Sequence, residues 1–232
     1  MPAVRVDSWC WTSFPFVRGL APEQRIDPPT LADGLHIVTV PSSPLSKQLE
    51  PVDIEGKWQR LVEIVQELPF AVTLERIRPS TIGQLSSLIA NQGQRVVHFW
   101  GYGRAGEHQD ALLIENEQGV PQSVLVKDFF HAIHGSAFLV MFNACAGASQ
   151  DETGFTSLAN VLAEYKIPYT LEMRFNLYEA DTLIFERVLF EELARGTTME
   201  EAVLHARQAL ARNNPRKWVT GMPVLSNHEG SE

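Results

Sequence analysis

The chain has 232 residues, with 19 Lys+Arg against 28 Asp+Glu and only two cysteines. Its length suits one large α/β domain, and 44% hydrophobic residues are enough for an ordinary globular core. A net charge of -9 excludes a general nucleic-acid binder, which needs a basic face for phosphates; two cysteines exclude a disulfide framework and point to a reducing cytoplasm.

The first thirty-four residues read as an arm. Val4, Val6, Trp9, Trp11, Phe14 and Phe16 are followed by Pro22, Pro28 and Pro29, a pattern that fits two extended segments or a hairpin kept away from a sheet centre. Such an arm either packs on the domain, capping a sheet edge, or offers its aromatic load to a partner. From Leu35 strand and helix alternate, and one domain over 35–228 with a short tail at 229–232 is expected. Leu35–Val40 is a β-branched run stopped by Pro41, and Ile54, Trp58, Leu61, Val65 and Leu68 recur at helical spacing. Phe70–Ile77 is strand-like, and Thr81 with Gln84 opens a helix through Leu85 and Ile89. Arg95–Trp100 is the next strand. Ala111–Glu115 is one arm of a hairpin turning at Gln118-Gly119, Val124–His131 has helical pattern, and Ala137–Phe142 is apolar enough to be covered on both faces. The apolar run to Ala148 is too short to cross a bilayer, and no leader opens the chain, so no membrane partner is expected. A helix over Ser157–Tyr165, a strand over Tyr169–Phe175, helices from Glu179 to Gly196 and from Thr198, and a strand over Trp218–Leu225 complete the pattern. Strands separated by helices predict a mostly parallel sheet with helices on both faces.

Ligands of such sheets sit beyond the carboxyl ends of the strands. Two ends stand out, His98-Phe99-Trp100-Gly101-Tyr102-Gly103 and Phe142-Asn143-Ala144-Cys145-Ala146-Gly147. The first continues to Gly106 as a formal dinucleotide fingerprint, but β-patterned sequence follows where a phosphate-holding helix has to start, so no nucleotide cofactor is expected. Cys145 is either a small core residue or a nucleophile whose thiolate needs a base or a positive environment. No histidine clusters with a cysteine at metal-ligand spacing, and no zinc is expected.

The order strand–His-Phe-x-Gly-x-Gly, hairpin, strand–Asn-Ala-Cys resembles the CHAT-domain family of caspase-like cysteine peptidases in clan CD. The likeness runs from about Leu35 to Leu225. It takes in Leu125–Phe130, Leu158-Ala159, Ile167-Pro168-Tyr169, Met173, Ala206-Arg207-Gln208, Trp218 and Pro223-Val224-Leu225. It implies a caspase-like three-layer sandwich and a catalytic dyad. The family's cysteine falls on Cys145, whereas the position of its histidine is Tyr102. It also implies an oxyanion hole from the backbone amides of Gly103 and Cys145. An acid two residues before the cysteine, which selects basic residues in caspase relatives, is replaced by Asn143; Asp151 and Glu152 follow in the next loop.

A phenol titrates near ~10 and is a poor base at neutral pH. The expected function is therefore a pseudopeptidase with a binding or regulatory role in a bacterial defence or signalling system, acting on a protein or peptide, beside a separate sensor or repeat protein. The alternative is an active endopeptidase that takes its base from elsewhere, His108 or His98, or that is activated by a partner. His98 belongs to the strand, roughly 13 Å from position 102, and reads as a buried core histidine. His131 and His134 flank a helix end and read as surface or capping groups.

Overall fold

The structure is a computed structural model describing residues 17–19, 34–49, 51–89, 95–104, 111–146, 167–173, 179–213 and 223–227. Its elements, in chain order, are β1 (Val17–Gly19), β2 (Leu35–Pro41), α1 (Ile54–Glu67), β3 (Val72–Arg76), α2 (Ile82–Ile89), β4 (Arg95–Arg104), β5 (Ala111–Glu115), β6 (Pro121–Leu125), α3 (Val126–Ile133), β7 (Ala137–Ala146), β8 (Tyr169–Met173), α4 (Glu179–Arg195), α5 (Met199–Asn213) and β9 (Pro223–Asn227). They build one sheet of nine strands in the order β1-β9-β8-β7-β4-β2-β3, with β5 and β6 joined to the end of β4. The pairs β2–β3, β2–β4, β4–β7 and β7–β8 are parallel, and β9 runs antiparallel to β8.

Alternation along the central strands divides the core into two layers. Val96 and Trp100 of β4, with Leu139 and Met141 of β7, join Leu61 of α1, Phe185, Leu189 and Phe190 of α4, and Ala202, Val203 and Ala206 of α5. Val97, Phe99, Val140 and Phe142 join Leu85 of α2, Phe129, Phe130 and Ile133 of α3, and Leu112 and Ile114 of the hairpin. The second layer is organised by aromatics: Phe129 lies 6.0 Å from Phe99 at 78°, 6.1 Å from Phe142 and 5.9 Å from Phe130, centroid to centroid. The α/β sandwich expected from the alternating pattern is the observed fold.

Helix ends follow local chemistry. Asp53 Oδ1 accepts from the Gly56 amide, Thr81 Oγ1 from Gln84, and Thr198 Oγ1 from Glu201. Gly196, at φ +85°, takes the left-handed position that ends α4.

Several boundaries differ from the sequence expectation. β4 and β7 do not stop at Trp100 and Phe142 but continue to Arg104 and Ala146, because each extends the ladder of the other. Val124 and Leu125 belong to β6, held by Leu112 and Ala111, and the helix starts only at Val126. The described part of the last strand is Pro223–Asn227; the expected start at Trp218 lies outside the described residues. The arm contributes β1, which pairs with β9 in parallel; the rest of the arm lies outside the described residues. The expected helix over Ser157–Tyr165 lies outside the described residues. No helix among the described residues is long and apolar enough to cross a membrane.

Phe129→Ala removes the ring on which Phe99, Phe130 and Phe142 converge, at a site with 0% exposure. The expected loss is about 3–5 kcal/mol of unfolding free energy, measured by urea denaturation at neutral pH; a loss below about 1 kcal/mol contradicts this packing.

Candidate active site

Position 102 and position 145 are neighbours because β4 and β7 are paired in one register from Val96 opposite Leu139 to Gly103 opposite Ala146. Trp100 lies opposite Asn143, Gly101 opposite Ala144, Tyr102 opposite Cys145 and Gly103 opposite Ala146. Adjacent strands lie about 4.8 Å apart, so the backbone of Tyr102 and that of Cys145 are side by side at the carboxyl ends of the two central strands. On its other side Tyr102 faces Leu113 of β5 in an antiparallel pair, and Tyr102 is 6% exposed.

The loop after β2 closes over this end. The Ser42 amide donates to the Trp100 carbonyl at 2.7 Å, and Ser42 Oγ donates to the Leu113 carbonyl at 2.8 Å. Gly101 is required by this closeness: a Cβ there meets the Phe99 ring edge at 2.9 Å and the Ser42 carbonyl oxygen at 3.0 Å. Ser42 was not marked by the sequence analysis, and no local pattern distinguishes it from any other serine after a strand.

The ladder also constrains the two backbone amides of the expected oxyanion hole. In a parallel pair, residues alternate between directing both N–H and C=O at the neighbouring strand and directing neither. Tyr102 faces Cys145, so Gly103 and Cys145 fall in the same class. Their amides are either both engaged with carbonyls of the opposite strand or turned away from each other, towards β5 and β8. For both to meet one oxyanion, the strand ends must part beyond Gly101 and Ala144.

The structure describes five histidines, and none stands at this end of β4 or β7. His98 lies opposite Met141, four positions before Cys145 in β7. It is 1% exposed, with its ring 5.2 Å from that of Trp100 and 6.3 Å from that of Phe190. The Trp100 indole Nε1–H donates to His98 Nε2 at 2.9 Å, and Glu186 Oε1 of α4 lies 3.4 Å from the same nitrogen. Burial, reinforced by the charge of Lys57, lowers the His98 pKa from 6.5 to about 3. A neutral imidazole accepting at Nε2 carries its proton on Nδ1, a buried atom without a hydrogen-bond partner among the described residues. The approach of Glu186 is therefore a contact with a neutral ring, not an ion pair.

His131 and His134 are exposed at the end of α3, just before the amino end of β7. His36 contacts Glu75 at 3.2 Å and His205 contacts Glu192 at 3.1 Å, both away from this end of β4 and β7. His108, Gly106, Asp151, Glu152 and Cys10 lie outside the described residues. Among the described residues no group of three metal-ligating side chains occurs.

A cleft of about 330 Å³ opens at the carboxyl ends of β2 and β3, roughly 14 Å and three strands from β7. Its charged lining is internally paired. Arg76 donates to Glu55 at 2.9 Å, Asp53 caps α1, and Glu115 accepts from the Ser43 amide. Glu186 and the buried Arg207, which donates to the Pro223 carbonyl at 2.6 Å, are polar core residues; Glu186 was not marked in the sequence, and Arg207 only as part of the resemblance, without a role.

In comparisons with known proteins, the family model described as the CHAT domain matches residues 21–228. Among solved structures the chain is similar to the crystal structure of the Drosophila initiator caspase Dronc, at 14% identity and a TM-score of 0.51, over 84% of this chain and 79% of that one. At this identity the likeness concerns the fold. No curated protein matches the chain in sequence.

The buried histidine makes a pH prediction. Since the folded pKa of His98 is depressed to about 3, the unfolded chain binds this proton first. The contribution to stability is complete above pH 6.5 and is lost as pH falls towards 3. Between pH 7 and pH 5 the unmodified chain should lose about 2 kcal/mol more unfolding free energy than His98→Gln, measured by denaturant titration of both proteins. Parallel pH profiles for the two proteins contradict the assignment.

Proposed function

This chain belongs to the CHAT-domain family, and from that premise we propose that it is a pseudopeptidase: a caspase-like domain kept for binding or regulation, with Cys145 retained and the family's general base replaced by Tyr102. The observation that carries this reading is the register of Tyr102 with Cys145. The residue beside the cysteine is the one on which the dyad's proton transfer depends, and it is a phenol. A phenol with an ordinary pKa near ~10 holds its proton at neutral pH and does not take one from a thiol.

The surroundings of His98 support the same reading. A general base has to stand within hydrogen-bond reach of the thiol and accept its proton near neutral pH. The His98 ring is enclosed by Trp100, Glu186 and Phe190, is lowered to about 3, and uses Nε2 to accept from the indole. On this reading the protein recognises a protein or peptide and acts beside a separate sensor or repeat protein in a bacterial defence or signalling system, in the cytoplasm.

The test is labelling of Cys145 by a peptidyl thiol-reactive probe at neutral pH, with the modified residue mapped by mass spectrometry so that Cys10 is counted separately. The unmodified chain should label slowly, and Tyr102→His should label faster by about 10²–10⁴. Tyr102→Phe, which keeps the ring and the packing, should match the unmodified chain. If the unmodified chain labels as fast as Tyr102→His, or if Tyr102→Phe abolishes a fast reaction, the chain is a working endopeptidase with its base elsewhere.

A further inference from the structure

Alternation along β4 fixes the direction of its backbone groups at the site. A strand residue turns its N–H and C=O to one side, and the residues before and after it turn theirs to the other. The Arg95 amide donates to the Ser136 carbonyl, just before β7, so the odd-numbered residues of β4 are directed at β7. The irregularity after Arg95 places its extra residue, Phe138, in β7, and the alternation of β4 runs on unbroken. The Trp100 carbonyl accepts from the Ser42 amide, so the even-numbered residues are directed at β2 and, beyond it, at β5. The hairpin agrees from its own side. The Asn116 amide donates to the Val120 carbonyl, which directs Ile114 at β6 and Leu113 at β4, and the Leu113 carbonyl accepts from Ser42 Oγ. Tyr102, opposite Leu113, is thereby bonded to β5, while Gly101 and Gly103 are directed at β7.

With Tyr102 opposite Cys145, we infer that the Gly103 amide donates to the Cys145 carbonyl and the Cys145 amide to the Gly101 carbonyl, and that these two bonds are an autoinhibitory closure of the site. Both donors that the family likeness gives to the oxyanion hole are occupied by the ladder in the resting protein. The closure is separate from the missing base. An imidazole restored at position 102 therefore activates the thiol without restoring acyl transfer. This inference rests on the proposed reading for the roles of Gly103 and Cys145, and it adds a second reason why that site is shut.

The two chemistries of a thiol differ in what they ask of these amides. In acyl transfer the thiolate sulfur bonds the carbonyl carbon and the π pair moves to oxygen. That oxyanion needs the donors until it collapses and expels the leaving group. In alkylation by iodoacetamide the sulfur bonds carbon and iodide departs, with no oxyanion at any stage. β4 itself is in no position to open the site. Tyr102, Gly103 and Arg104 are paired with β5 on the far side, and Ser42 ties the Trp100 and Leu113 carbonyls together. Parting the strands falls to Ala144–Ala146, which lie past the last β7–β8 pair, Phe142 with Glu172.

Two measurements on the full chain test the closure. In amide hydrogen exchange followed by NMR on the unmodified protein, Gly103 and Cys145 should be protected roughly a hundredfold or more relative to an unstructured peptide. Exchange of either amide at the unstructured rate overturns the closure. The second measurement is the ratio of acylation by p-nitrophenyl acetate to alkylation by iodoacetamide, both mapped to Cys145 by mass spectrometry. In the unmodified chain and in Tyr102→His this ratio should stay within about tenfold of that of N-acetylcysteine amide, although Tyr102→His reacts faster with both reagents. A larger ratio in either protein means that free donors are helping, each worth about 10²–10³ in rate, and overturns the closure. Should Tyr102→His fail to fold, hydrogen exchange and the ratio in the unmodified chain still decide. The pseudopeptidase reading fails on the absolute alkylation rate of the unmodified chain and the closure on the ratio, so the two failures are told apart.

Discussion

The parallel ladder between β4 and β7 is the constraint on which the rest of the protein depends. It runs from Arg95 opposite Ala137 to Gly103 opposite Ala146, with one irregularity after Arg95. Every described side chain of β4 from Arg95 to Gly103 is buried, as is every one of β7 from Ala137 to Phe142. Both strands must therefore be covered on both faces, and this is why the helices divide into two layers. The same register fixes which residues meet at the carboxyl end. Moving one strand by a single residue would bring a glycine opposite Cys145 in place of Tyr102, and would turn Val97 and Phe99 out of the aromatic layer.

His98 shows how a polar residue is accommodated in such a strand. It stands between Val96 and Trp100 on the face that packs against α4, where a charged imidazole would have to be desolvated. Burial resolves this by holding the ring neutral, and the Trp100 indole supplies a donor for one nitrogen. α4 is held against this face by Phe185, Leu189 and Phe190, with Glu186 Oε1 3.4 Å from the neutral ring. A residue that can look catalytic in a sequence of histidine and glycines is thus part of the packing that carries the catalytic position.

Much of this was readable from the residues, for identifiable reasons. Apart from His36, the runs Leu35–Val40 and Ala137–Phe142 are β-branched or apolar, and caps such as Thr198 with Glu201 act over three residues, so local sequence contains the cause. Boundaries that depend on distant partners were not readable. Gly101–Arg104 has glycine content typical of a loop, yet it is strand because Ala144–Ala146 and Ala111–Leu113 pair with it. Val124 opens a run that reads as helical, but its backbone is held by Leu112. At the site, sequence order alone located the two strand ends, while Ser42 came into view only because β2 lies next to β4 and places the following loop over Trp100.

These observations separate the requirements of the fold from those of the chemistry. None of these features needs an imidazole at position 102 itself: the register comes from the ladder, the close approach from Gly101, and the closure from Ser42. A tyrosine 6% exposed at position 102 satisfies the packing as a large apolar ring with a polar tip. On the proposed reading, a chain without the family's base keeps the domain intact. On that reading, a proton acceptor beside Cys145 is not among the requirements of the fold.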